Sequence, residues 1–249
     1  MFDRLLSCIP CIIRWLDLVF ASILLYLLSF TPPRFSLSWY GPVFRSWCWI
    51  FIRALGVNLK VHQHYTKTLP DHFIVIANHP SAFEDLGMPA LFKAHFLAKE
   101  ELKAWWILGR ISLFARTLYV QREDRASRKE AAKTIHALLL EGENIGLYPE
   151  GGCKGRRIFL PFQYGIFEAS LKTGVPIIPV FIHYEAQADF EWSEDESLIK
   201  TLQKIYRSKN KTVNYHIFDA IDPKDFERKE SLCEHVQTLY LQWQTKYLE

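Results

Sequence analysis

No G-x-S-x-G occurs in the 249 residues, which excludes the nucleophile elbow of a serine hydrolase. Cysteine is sparse and scattered, at 8, 11, 48, 153 and 233, and an odd set at irregular spacing makes no disulfide framework. Cys8-Ile-Pro-Cys11 is a C-x-x-C, but no second cysteine pair or histidine pair completes a zinc site, and no further His or Asp falls at ligand spacing. No metal is therefore expected. Cysteine usage of this kind belongs to a reducing compartment and points the working face toward the cytoplasm. The net charge is only +3, too mild to argue for nucleic acid and compatible with an anionic lipid surface. Internal repeats, low-complexity segments and a signal-peptide cleavage site are also missing.

What is present is apolar and aromatic: 49% hydrophobic residues and 15% aromatic ones. Leu18–Phe30 carries no charge and is closed by Pro32-Pro33. Alone it would cover about 20 Å of helix, short of a bilayer core of roughly 30 Å. Extending it back to Leu5 supplies the length but takes in Arg14 and Asp17, which could pair across one helical turn. A second segment, Trp39–Leu55, mixes Trp39, Tyr40, Trp47 and Trp49 with Arg45 and Arg53, a composition suited to the headgroup boundary. Residues 1–57 thus read as two hydrophobic membrane-associating helices, ahead of a domain spanning 58–249.

From Val57 on, strand and helix patterns alternate. Strands are expected at Asn58–His62 (an edge), Phe73–Ala77, Thr117–Val120, Ile145–Tyr148, Val175–Ile182 and Val213–Ala220. Helices are expected at Ala82–Phe92, within Lys99–Leu113, and at Arg125–Glu141 with Gly142 ending it. Further helices are expected at Gly165–Lys172, ending at Gly174, and at Ser231–Tyr247. Glu185–Glu196 reads as a solvated loop. The alternation argues an α/β fold, a mostly parallel sheet flanked by helices.

Two polar segments follow apolar strands: Asn78-His79-Pro80-Ser81-Ala82-Phe83-Glu84-Asp85 and Tyr148-Pro149-Glu150-Gly151-Gly152. Such strand ends are where an α/β protein builds its site. Pro80 suits the first position of a helix, which would make His79 its cap, with Ser81 as a further capping residue. A cap can fold back toward Glu84 or Asp85. A carboxylate on one ring nitrogen fixes the tautomer and leaves the other to accept a proton from a hydroxyl. Glycines 151 and 152 allow close approach of backbone to a ligand. Arg122, following an apolar strand, and Lys154, Arg156 and Arg157 supply cations for a phosphate.

Together these segments resemble the lysophosphatidic acid acyltransferase family of glycerolipid acyltransferases. Four motifs carry the resemblance, in family order and spacing. They are His79 followed after four residues by Glu84, Leu118-Tyr119-Val120-Gln121-Arg122, Tyr148-Pro149-Glu150-Gly151, and Val175-Pro176-Ile177-Ile178-Pro179. Leu160-Pro161-Phe162 and Gly165 also sit where the family has them. In two places the chain departs from the pattern. Glu84 stands where the family has aspartate, with Asp85 one residue late. Gly152-Cys153-Lys154 stands where Thr-Arg-Ser is common, so that a cysteine replaces the arginine.

The resemblance implies transfer of a fatty acyl chain from acyl-CoA or acyl carrier protein to a lysolipid hydroxyl, foremost that of 1-acylglycerol-3-phosphate. His79 would be the general base and Glu84 or Asp85 its partner. Arg122, Glu150, Gly151, Gly152 and Lys154 would bind the acceptor and its phosphate, and Val175 and Pro176 would shape the acyl or acceptor pocket. The acyl thioester is a co-substrate, and no cofactor is implied. The expected partners are membrane lipids, the donor and a lysolipid. The altered third motif leaves a different lysolipid, such as an aminoacyl one, as an alternative acceptor, and Glu84 leaves a catalytically silent membrane-binding homologue.

Overall fold

The computed structural model describes residues 2–31, 39–193 and 196–249, with side chains from residue 9 onward. Pro32-Pro33 lies outside the described residues.

The chain opens with helix α1 (Phe2–Leu28), followed by α2 (Tyr40–Leu55). Within α1, the twenty residues Ile9–Leu28 are long and apolar enough to cross a membrane, and most of them are exposed. Twenty residues of helix rise about 30 Å, the thickness of a hydrocarbon core. This apolar stretch therefore runs further back than the uncharged Leu18–Phe30 and takes in Arg14 and Asp17, which are both exposed and form no ion pair with each other. Helix α2 differs from the expectation. It is 16 residues long, and it buries Tyr40, Trp47, Cys48, Ile52, Ala54 and Leu55 in the same core as the sheet. Tyr40 and Trp47 are core residues rather than headgroup anchors, and the Trp47 indole donates to Ser22 Oγ (2.9 Å); Trp49 is exposed, with its indole donating to the Ala90 carbonyl (3.1 Å).

Among the described residues, seven strands form one sheet in the order β1-β7-β6-β2-β5-β3-β4. They are β1 (Asn58–Gln63), β2 (Ile74–Ala77), β3 (His95–Lys99), β4 (Leu118–Val120), β5 (Ile145–Leu147), β6 (Ile177–Tyr184) and β7 (Thr212–Ile217). All neighbours are parallel except β6 and β7. The central strands are buried on both faces, so they read as unbroken apolar runs. Val75 and Ala77 of β2 pack toward α1 and α2, with α3 (Glu84–Leu91) on the same side. Ile74 and Ile76 pack toward α5 (Arg125–Leu140), α6 (Gly165–Thr173) and α9 (Lys229–Leu248). The sequence pattern did not mark β3. A short 3₁₀ turn (Glu100–Ala104) follows it and leads into α4 (Trp106–Phe114). The stretch 185–196 is more than a solvated loop: it holds the single-turn α7 (Gln187–Phe190), whose Phe190 is fully buried and stacks on Tyr184 with ring centroids 4.5 Å apart. Helix α8 (Leu198–Arg207) follows.

On the face of β1, β7 and β6 that α9 covers, four imidazoles join edge to edge. The Asn214 amide donates to His183 Nε2 (3.3 Å), His183 Nδ1 to His216 Nε2 (3.2 Å), and His216 Nδ1 to His64 Nε2 (2.9 Å); His62 Nε2 donates to Asn214 Oδ1 (2.8 Å). These tautomers are assigned from the hydrogen bonds, since the amide can only donate to His183 and each ring must then pass a proton on. The ring of Tyr247 stacks on His216 at 4.0 Å. Among the described residues, no three His, Cys, Asp or Glu side chains converge on a point that could hold a metal ion.

Candidate active site

The sheet brings the singled-out segments together. Strands β2 and β5 are parallel neighbours, so Asn78-His79 and Tyr148-Pro149-Glu150 leave the same sheet edge side by side. Strand β6, on the other side of β2, ends there with Tyr184, and Arg122 follows two residues after the end of β4.

Asn78 fixes the exit from β2. Its side chain donates to the Ile182 carbonyl (2.8 Å) and accepts from the Ile182 N–H (2.7 Å). Residues 79–83 then form a turn, and α3 begins only at Glu84, with Phe83 as its cap. Pro80 therefore starts no helix, and Ser81 accepts from the Phe83 N–H (3.1 Å), closing the turn rather than capping a helix. This tighter path brings the carboxylate five residues on back to the imidazole. His79 Nδ1 lies 2.9 Å from Glu84 Oε2, which also accepts from the Ser81 N–H (2.9 Å), while Tyr184 donates its hydroxyl to Glu84 Oε1. Glu84 thus partners His79, and the exposed Asp85 does not.

Glu84 is fully buried, which pushes its carboxyl well above the usual range, opposed by the Tyr184 and Ser81 hydrogen bonds. Burial likewise lowers His79 to about 4, against the nearby negative charge of Asp85. The resting imidazole is therefore neutral, with its Nδ1 proton held by Glu84. Its Nε2 has no partner among the described residues and is not sealed from solvent. The Tyr148 ring stacks on it at 3.9 Å and 14°, fixing its plane.

Glu150 departs from the expectation. It is 3% exposed, and its two oxygens accept from the backbone N–H groups of His79 (2.8 Å) and Phe159 (2.7 Å). This carboxylate ties the β2 and β5 exits together instead of facing an acceptor. Burial raises it to about 7. Gly151 takes φ +76°, a left-handed turn that a side chain would strain. Gly152 is where a cation enters: a Cβ there would stand 2.9 Å from Arg122 Nη1 and 3.7 Å from Lys154 Cε. Arg122 is half-buried, forms no ion pair among the described residues, and lies near Asp85, whose charge opposes the lowering that burial imposes on the guanidinium. Lys154 is exposed and leans over Phe159, 5.6 Å from the ring. Arg156 is bound by Glu191 through its N–H (2.9 Å) and Nε (3.3 Å), and Arg157 lies 3.7 Å from Glu249.

Val175 and Pro176 are not brought to the site. They precede β6 at the opposite edge of the sheet, where the Pro176 carbonyl accepts from the Ile74 N–H (2.9 Å). That is seven residues of extended chain from the level of His79, roughly 23 Å. A pocket role for them is replaced by a packing one. Tyr184 was missed by sequence reasoning because nothing local to it predicts that β6 adjoins β2.

The sequence model of the acyltransferase family matches residues 58–183, just over half of the chain. This chain belongs to the glycerolipid acyltransferase family. Among relatives of this acyltransferase, a 1-acyl-sn-glycerol-3-phosphate acyltransferase of Neisseria gonorrhoeae is 24% identical over 190 residues, 75% of this chain and 74% of that one. A lyso-ornithine lipid O-acyltransferase of Pseudomonas aeruginosa is 27% identical over 175 residues, 67% of this chain and 66% of that one. The crystal structure of the 1-acyl-sn-glycerophosphate acyltransferase PlsC of Thermotoga maritima superposes with a TM-score of 0.65 at 19% identity, covering 99% of this chain and 97% of that one. The likeness establishes the acyltransferase fold, N-terminal apolar helix included.

Proposed function

We propose that this acyltransferase moves a fatty acyl chain from an acyl thioester, acyl-CoA or acyl carrier protein, to the free hydroxyl of 1-acylglycerol-3-phosphate, giving phosphatidic acid. The observation that carries the reading is the buried His79–Glu84 pair with Nε2 left open. Nε2 takes the hydroxyl proton as the oxygen attacks the thioester carbonyl. When the tetrahedral intermediate collapses, the C–S bond breaks and the proton passes from Nε2 to the leaving thiolate. Arg122, which forms no ion pair among the described residues and packs its guanidinium against Gly152, would hold the acceptor phosphate. Helix α1 would keep the protein on a membrane, with the site on the cytoplasmic side. The free state of Cys11, Cys48, Cys153 and Cys233 supports that side.

One feature favours a second acceptor. Cys153 stands where the family has arginine, which leaves Arg122 and the flexible Lys154 as the cations near Gly152. A lysolipid with less headgroup charge, as in the ornithine-lipid relatives, would suit such a site. The deciding experiment incubates membranes carrying the wild type or His79→Ala with labelled palmitoyl-CoA, or palmitoyl carrier protein, and a panel of lysolipids. Acylation of lysophosphatidate that vanishes in the variant supports the first reading. Acylation of another lysolipid alone supports the second. Failure with every donor and acceptor would return the protein to the silent-homologue alternative.

A further inference from the structure

The corner between β3 and α4 exposes large apolar side chains that the proposed chemistry does not use. Trp106 is 81% exposed, and Trp105, Ile107 and Leu113 are exposed around it. Trp106 and Leu113 stand seven apart on α4 and so share a face. Arg110, between them on that face, ties α4 to the end of α1: its guanidinium donates to Ser29 Oγ (3.3 Å) and the Ser29 carbonyl (3.2 Å), and stacks 3.9 Å over Phe30. Trp106 meets Tyr26 of α1 edge-on, with centroids 6.4 Å apart. The corner is thus continuous with the exposed apolar side of α1, where Ile23, Leu24 and Leu27 are exposed.

The corner is also placed with respect to the chemistry. Strand β3 is parallel to β4 and β5, so its end at Lys99, and the turn that leads to Trp105, lie on the sheet edge where His79 and Arg122 stand. The charge of Glu101 in that turn is felt by Arg122.

We propose that Trp105, Trp106, Ile107 and Leu113 form a second lipid-contacting surface, seated in the headgroup layer of the bilayer that receives α1, so that the mouth of the site opens onto that layer. The proposal rests on the membrane reading of α1. Continuity with α1 argues for a bilayer over a protein partner, and paired indoles suit the boundary between headgroup and acyl chain. Trp106 presses its ring into that boundary, Arg110 keeps the corner in register with α1, and a lysolipid would reach Arg122 without leaving the lipid layer.

The test reads Trp106 directly in the full-length protein on phosphatidylcholine vesicles. Trp106→Phe removes an exposed side chain and should fold, so the emission of the wild type minus that of the variant isolates the one indole. We expect this difference emission to be quenched strongly by lipids brominated near the headgroup and weakly by aqueous acrylamide. Strong acrylamide quenching with no effect of bromolipid would overturn the proposal. Because this readout needs no turnover, it stands or falls separately from the acyltransferase assignment. If turnover is found, Trp106→Glu should lower kcat/KM for a bilayer-embedded lysolipid by roughly tenfold or more. It should leave turnover of a short-chain lysolipid in free solution unchanged, and an equal loss on both substrates would also count against the proposal.

Discussion

Tyr184, at the end of β6, donates a hydrogen bond from its hydroxyl to the oxygen of Glu84 that His79 does not use. The carboxylate is thereby held by three donors from three places: the imidazole, the Ser81 N–H and the phenol. Hydrogen bonds to a charged group contribute about 1.5–3 kcal/mol each. Tyr184→Phe should therefore lower kcat by roughly 10- to 100-fold with little change in KM. With one donor fewer, Glu84 protonates at higher pH, so the acid limb of kcat/KM should move upward. A lowered kcat with an unmoved pH profile would mean that the phenol merely fills space.

The pH profile of the wild type is a second check. A general base works only when unprotonated, and burial lowers His79 from 6.5 to about 4. The limb set by His79 should lie near 4 rather than 6.5, and a limb at higher pH should be the one that Tyr184→Phe moves, since it belongs to Glu84. An acid limb centred near 6.5 that Tyr184→Phe leaves in place would show that His79 is solvated during turnover.

Gly152 can be probed with a single methyl. Its Cβ would stand 2.9 Å from Arg122 Nη1, closer than real contacts allow, so the guanidinium must shift. Gly152→Ala should raise KM for a phosphate-bearing acceptor several-fold and leave KM for the acyl thioester unchanged. Equal effects on both would remove Arg122 from acceptor binding.

The histidine chain on β1, β7 and β6 predicts a pH-dependent stability. Burial, and the positive charge that neighbouring His62, His183, His64 and Lys246 would bring, lower His216 from 6.5 to about 3. His64 and His183 are lowered as well, the latter against the opposite pull of Glu185. The folded state then binds fewer protons than the unfolded one. The stabilisation is complete above 6.5 and is lost as pH falls from there toward about 3. Denaturant midpoints measured across that window should decline, and the decline should be shallower in His216→Asn. Parallel slopes for the two proteins would exclude the chain as the cause.

What the sequence made legible was local. The alternation of strands and helices, the turns after β2 and β5, and the pairing of His79 with a carboxylate nearby are set by residues within a few positions of one another. Readings that failed needed the sheet order. Trp47 read as a headgroup anchor until α2 is seen to bury it in the core shared with α1 and the sheet, whereas Trp49 stays exposed and only its indole N–H is taken up. Glu150 read as an acceptor ligand until both its oxygens find backbone N–H groups. Val175 and Pro176 lead into a strand whose far end, not near end, reaches the site. Tyr184 and the four imidazoles depend on which strands become neighbours, and no spacing along the chain reports that.

The twin hydrogen bonds of Asn78 to Ile182 carry a consequence of their own. One N–H and the oxygen of the primary amide are used here as a peptide group uses its own, so this side chain adds a rung to the β2–β6 ladder after the main chain has turned away. The position is therefore closed to exchange although it touches no reactant. Asn78→Asp would set an oxygen against the Ile182 carbonyl, Asn78→Leu would leave both main-chain groups orphaned, and either change would reach His79 first.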